Sequence, residues 1–241
     1  MAGGGIIFDL DDTLIETTRY FNEAKERFRV LMEREGFPGE EAVKKLNEFD
    51  IANVKKMGGF MKECFPRALG QTYEYFCSLY RRTPDPQKKE EVERLGWELF
   101  TREIELVEGA EEVLKELAKG YPLYLATKGE PQLQLAKVKA SGLARYFRRV
   151  YIFRMKGTAE YLYIARDAGL KVMESWIIGN SMKGDINPGI RGGFNCIHFD
   201  HPHTWDFEKE PPVGDFYRVT SLFEVLEIIG GEKRRLLVAE G

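Results

Sequence analysis

Two carboxylates stand two residues apart where an apolar run ends: Ile6-Ile7-Phe8 leads into Asp9-Leu10-Asp11-Asp12-Thr13. If the strand continued, Asp9 and Asp11 would share one face, and a following turn can swing both into one pocket. Such a pair suits a divalent-metal site in which one carboxylate attacks as a nucleophile and the other moves protons as a general acid and base. Polar groups also follow three later apolar runs. Leu123-Tyr124-Leu125-Ala126 delivers Thr127 and Lys128, and Tyr151-Ile152-Phe153 leads into Arg154-Met155-Lys156. Trp176-Ile177-Ile178 leads into Gly179-Asn180-Ser181, with Asp185 five residues beyond Asn180. Taken singly, a threonine at a strand end is an ordinary helix cap and a lysine an ordinary solvated cation. A hydroxyl, an ammonium and acids at four successive strand ends read instead as one site beyond the carboxyl edge of an open sheet.

The elements that must position these groups follow from periodicity. From about Thr17 to Leu106 the pattern is helical, with Tyr20, Ala24 and Phe28 on one stripe beside Phe21 and Leu31. Further helices are predicted over Glu40 to Lys56, Gln71 to Arg81 and Gln87 to Glu105. Their punctuation is Gly58-Gly59, Phe65-Pro66 and Thr83-Pro84-Asp85-Pro86. After Gly109, strand and helix alternate. Strands are predicted at Leu123 to Ala126, Arg149 to Phe153, Trp176 to Ile178, Cys196 to Phe199 and Phe216 to Val219. Helices are predicted at Glu111 to Lys119, Gln132 to Ser141, Thr158 to Ala168 and Leu222 to Ile229. The first strand cannot satisfy its backbone alone and must join the later sheet. The expected fold is therefore α/β: a Rossmann-like three-layer core with a mostly parallel sheet, residues 1–15 and 107–241, into which an all-helical cap, residues 16–106, is inserted.

Composition narrows the partners. Thirty-six basic and 39 acidic residues are well mixed along the 241-residue chain, so no basic stripe points to nucleic acid. Cys64, Cys77 and Cys196 lack the spacing of a disulfide framework or zinc cluster, which suits a reducing cytoplasm. No apolar stretch approaches the roughly 20 residues of a spanning helix, and the expectation is a cytoplasmic protein acting on a small molecule. His198, His201 and His203 flank Pro202 and read as loop histidines at the surface, and Lys233-Arg234-Arg235 as a short solvated run. The stretch Met57 to Pro66 reads as either a specificity loop or a corner between helices.

With these motifs in order, the chain resembles the haloacid dehalogenase (HAD) superfamily of hydrolases, in the form with a helical cap after the first motif. Asp9-Leu10-Asp11-Asp12-Thr13 corresponds to motif one, Thr127 to motif two, Lys156 to motif three, and Gly179-Asn180-Ser181 through Asp185 to motif four. The resemblance implies a Mg²⁺-dependent phosphatase that hydrolyses a small phosphomonoester through an aspartyl phosphate. In that scheme Asp9 is the nucleophile and Asp11 the general acid and base. Thr127, Lys128 and Lys156 hold the phosphoryl group, and Asp9, the Asp11 carbonyl, Asp185 and Asn180 are the metal ligands. Members that cleave carbon–halogen bonds lack the acid at the position of Asp11, so its presence favours phosphoryl transfer. The resemblance also admits a phosphomutase acting on a sugar phosphate. Asn180, where the family often has an acid, leaves room for a non-catalytic, metal-dependent binding protein. The substrate is expected to be a small phosphorylated metabolite, and the oligomeric state is open.

Overall fold

A computed structural model provides the structure, and residues 3–231 are described. The Lys233-Arg234-Arg235 run lies outside them. The chain divides into two compact units, one built from residues up to Thr18 and from Ile104 onward, the other from Arg19 to Glu103.

The first unit is organised by β1 (Ile6–Phe8), a three-residue strand with no solvent exposure. It is the second-half strands that satisfy its backbone. β1 pairs in parallel with β2 (Leu123–Lys128) on one side and with β4 (Trp176–Gly179) on the other. β3 (Arg149–Phe153), β5 (Asn195–Phe199) and β6 (Tyr217–Val219) extend the sheet to the order β3-β2-β1-β4-β5-β6, every pairing parallel. Alternation along β1 sends Ile6 and Phe8 into one core with Val113, Leu114 and Val225, and Ile7 into another with Tyr161, Ile164 and Ile186. Both faces of the sheet are thus covered, as a parallel sheet requires, and the fold is the α/β Rossmann-like class. Strand order reverses around β1, which makes its carboxyl end a topological switch point.

Helices α5 (Ala110–Leu117), α6 (Pro131–Ala140), α7 (Thr158–Ala168), α8 (Asn187–Gly192) and α9 (Phe223–Ile229) complete this unit, with a short π-type turn at Met182–Ile186. The helical unit contains most of α1 (Thr18–Arg34) together with α2 (Gly39–Met57), α3 (Cys64–Leu79) and α4 (Pro86–Trp97). Its core gathers Phe28, Met32, Leu46, Phe65, Leu69, Phe76 and Leu95. Gly96 lets α4 approach α3 closely, since a Cβ there would lie 2.7 Å from the Pro66 Cα.

Two helix boundaries differ from expectation. α3 begins at Cys64, not Gln71, because Pro66 sits in its first turn, where its missing N–H has no helical partner to lose. α4 ends at Trp97 and passes into a tight turn at Glu98–Thr101, short of the expected Glu105. His198 and His201 are also buried, at 6% and 4% exposure, and are not surface histidines. His198 lies within β5, where its Nε2 meets the Asn180 carbonyl at 2.9 Å.

Candidate active site

The polar groups at the carboxyl ends of β1, β2 and β4 converge. Asp9 is the first residue after β1, held by its N–H to the Ile178 carbonyl at 2.9 Å. The chain then turns sharply through Asp12, whose φ of 57° is left-handed, a conformation that costs about 1–3 kcal/mol for a non-glycine residue. The Asp12 carboxylate offsets this by accepting the Thr17 and Thr18 N–H groups at 2.9 and 2.8 Å, which caps the start of α1. This turn is what separates Asp9 from Asp11: they leave the strand in different environments and do not continue it.

Asp9 is buried and its Oδ1 accepts from the Lys156 ammonium, which also lies 2.6 Å from Asp185 Oδ1 and donates to the Ala126 carbonyl at 3.0 Å. Asp185 has no exposure. Its Oδ1 also accepts from the Tyr161 hydroxyl at 2.7 Å and its Oδ2 from the Ser181 N–H at 3.1 Å. Gly179 makes room for this carboxylate, since a Cβ there would lie 2.4 Å from Asp185 Oδ2. Thr13 ties the two strand ends together, with its hydroxyl 3.5 Å from Asp9 Oδ2 and accepting the Asn180 N–H at 3.0 Å. Among the described residues, the Asn180 side chain makes a single long contact, Nδ2 to Thr204 Oγ1 at 3.5 Å.

Asp11 occupies a different setting. Its carboxylate accepts from Thr17 Oγ1 at 2.7 Å, Gln134 Nε2 at 2.7 Å and Lys137 Nζ at 2.6 Å. Gln134 donates also to Thr127 Oγ1 at 2.5 Å. Lys128 directs its ammonium to Glu208 Oε2, which also accepts from the Ser181 hydroxyl. Glu208 Oε1 is buried without a hydrogen-bond partner. Asp12, Glu16 and His201 bring ligand atoms within 4.8 Å of one another, but the Asp12 carboxylate serves as the α1 cap.

The electrostatics follow from these partners. Burial raises the Asp9 carboxyl to about 7, because the Lys156 ammonium that opposes the effect is shared with Asp185, whose own charge works against ionisation. Burial also disfavours the charge on Asp11, but the Lys137 ammonium and three hydrogen bonds outweigh it and hold Asp11 below the usual carboxylate range. Asp185 is likewise held down by Lys156 and Lys128 against its burial. Burial lowers the proton affinity of the His198 imidazole below its usual range.

Sequence reading identified Asp9, Asp11, Thr127, Lys128, Lys156, Asn180 and Asp185 as groups of one site; in the structure Asp9, Lys156 and Asp185 form one contact group, Asp11 and Thr127 are joined through Gln134, the Lys128 ammonium turns to Glu208, and the Asn180 amide to Thr204. It left out Gln134, Lys137, Tyr161 and Glu208. The polar pair at three-residue spacing on the helix that follows Thr127 was the available signal for Gln134 and Lys137.

A sheet with a switch point, paired acids after its first strand and a buried lysine after its third define a class, and the sequence comparison agrees. Residues 4–193 match the family model of the haloacid dehalogenase-like hydrolases, and the chain belongs to that family of enzymes. Among curated relatives, the pyrimidine 5′-nucleotidase PynA of Streptococcus pneumoniae is 29% identical over 126 residues, 49% of this chain and 53% of that protein. The chain thus matches about half the length of that relative. The glyceraldehyde 3-phosphate phosphatase of Pyrococcus furiosus is 24% identical over 237 residues, 94% of this chain and 93% of that one. In fold, the chain is similar to a haloacid dehalogenase-like hydrolase from Xanthomonas campestris, at TM-score 0.79 and 21% identity, covering 96% and 92% of the two chains. Other structures of this fold, at 15–20% identity, include 2-haloacid dehalogenases, so the fold by itself does not choose between substrates. Among the described residues, no helix is long and apolar enough to cross a membrane.

Proposed function

We propose that the protein is a Mg²⁺-dependent phosphatase that hydrolyses a small phosphomonoester through an aspartyl phosphate on Asp9. The observation that carries this reading is the division of labour between two carboxylates at one strand end. Asp9 stands against Lys156, while Asp11 accepts from Gln134, which also donates to Thr127. An Asp9 oxygen forms a bond to phosphorus as the ester P–O bond breaks, and the electron pair goes to the leaving oxygen with a proton from Asp11. The incoming dianion raises the proton affinity of Asp11, so the acid is charged by the substrate it serves. Water then adds to the phosphorus, Asp11 takes its proton, and the acyl phosphate bond breaks to release phosphate and restore Asp9. Thr127 and Lys156, with the Lys128 backbone amide, hold the nonbridging oxygens. A halide needs no proton to leave, and the presence of Asp11 therefore favours an oxygen leaving group.

The donor set fits a hard divalent cation. Two buried carboxylates share one ammonium, and burial pushes Asp9 up to about 7 despite it. Asp9, the Asp11 carbonyl, Asp185 and Asn180 would hold Mg²⁺, which supplies charge neutralisation between the nucleophile and the phosphate dianion. We assign substrate selection to the helical unit as a cap, since every reacting group lies in the other unit. The relatives named for a pyrimidine 5′-nucleotide and a triose phosphate support a small phosphorylated metabolite as substrate.

Phosphate release from a panel of pyrimidine 5′-nucleotides, triose phosphates and sugar phosphates, with Mg²⁺ and with chelator, tests the proposal. Release that needs Mg²⁺ and vanishes in Asp9→Asn is expected. Isomerisation of a sugar phosphate without phosphate release would indicate a mutase instead, and binding without any turnover would overturn the catalytic reading.

A further inference from the structure

Gln134 and Lys137 have no part in the chemistry above, yet both reach its proton-transfer group. They stand three residues apart on α6 and so on one helix face. Gln134 is 2% exposed, and its amide nitrogen spends its hydrogens on Asp11 Oδ2 and Thr127 Oγ1. One buried amide therefore ties the second carboxylate of the first strand end to the hydroxyl of the neighbouring strand end. Lys137 reaches Asp11 Oδ1 from one helical turn further on, at 2.6 Å. Thr17 Oγ1 is the third donor on this carboxylate, at 2.7 Å, and without the two α6 donors it alone restrains the Asp11 rotamer. A general acid works only within hydrogen-bond reach of the oxygen it protonates, and displacement by about 1 Å can cost roughly a hundredfold in rate.

We propose that Gln134 and Lys137 are positioning residues that hold the Asp11 carboxyl in line with the leaving-group oxygen, with Gln134 setting its distance from Thr127. The inference rests on the phosphatase reading, in which Asp11 gives its proton to that oxygen as the P–O bond breaks. It separates two kinds of ester. An alkoxide needs the proton in the transition state, whereas p-nitrophenolate delocalises its charge and departs without it. Loss of alignment is therefore felt by alkyl esters and not by p-nitrophenyl phosphate.

The test compares kcat/KM for p-nitrophenyl phosphate with kcat/KM for the best alkyl ester of the metabolite panel. The proteins are wild type, Gln134→Leu, Lys137→Met and Lys137→Arg. This parameter ends at leaving-group departure, so hydrolysis of the intermediate does not enter it. The ratio of the two values is independent of the fraction of folded protein in a sample. For Gln134→Leu and Lys137→Met the alkyl value should fall by about 30- to 100-fold, within the range of general acid catalysis. The p-nitrophenyl value should stay within about threefold, and Lys137→Arg should recover most of the alkyl activity. An unchanged ratio in an active protein, through equal loss on both esters or none on either, would overturn the positioning role alone. A wild-type protein idle on both esters would overturn the phosphatase reading and this inference with it.

Discussion

Removing the charge of the proposed nucleophile should make the metal-free protein more stable, not less. Asp9 ionises at about 7 in the fold against 3.8 ordinarily, with burial as the main cause. Below pH about 4 both folded and unfolded chains carry the proton and Asp9 costs nothing; between about 4 and 7 the unfolded chain ionises first. Stability is therefore lost as pH rises through that window, and the loss is complete above the folded value. At ~1.4 kcal/mol per pH unit the full cost is about 4 kcal/mol. Asp9→Asn keeps the shape and deletes the charge. It does not strand Lys156, whose ammonium remains 2.6 Å from Asp185. For a chain of this length a kcal/mol moves the melting temperature by about 2–4 °C, so the variant should melt roughly 10 °C higher above pH 7 in chelator. The two proteins should converge near pH 4, and saturating Mg²⁺ should stabilise the wild type more than the variant. Thermal unfolding followed by circular dichroism across this range is the assay. An Asp9→Asn protein that melts below wild type at pH 8 in chelator would refute the reasoning and show the Asp9–Lys156 pair to be net stabilising.

Lys156→Met removes the ammonium that contacts both Asp9 and Asp185, and should cost about 3–5 kcal/mol in chelator, the price of stranding a buried charge. Urea midpoints with and without Mg²⁺ measure it: part of the loss should return with the cation, while turnover should stay at least about a hundredfold down. Asn180→Asp forfeits the long contact to Thr204 and adds a carboxylate at the carboxyl end of β4, so Mg²⁺ binding measured calorimetrically should tighten by about tenfold. Unchanged affinity would place the position outside the metal's reach.

What could be read from the chain depended on the range of each interaction. Apolar runs that stop at polar residues are local signals, and they located all the strands and the groups at their ends. Pro66 misled because proline reads as a break, although the first turn of a helix accepts it. His198 and His201 misled for a different reason: near Pro202 they resemble a surface loop, while β5 carries His198 inward to the Asn180 carbonyl. Gln134 and Lys137 meet Asp11 across 123 and 126 residues. Their three-residue spacing marks a shared helix face, but which group that face meets emerges only once β2 has been placed beside β1.

The two carboxylates of the first strand end are driven apart in proton affinity by their surroundings, as paired acids with different duties usually are. The protein's own groups, however, set an order opposite to the one hydrolysis requires. Asp9, the proposed nucleophile, is raised to about 7 by burial, while Asp11, the proposed proton donor, is held down by Lys137. Positive charge beside Asp9 lowers it, and a phosphate dianion beside Asp11 raises it. Both corrections arrive together when cation and ester are bound. The substrate's own charge would thereby complete the arrangement that cleaves it.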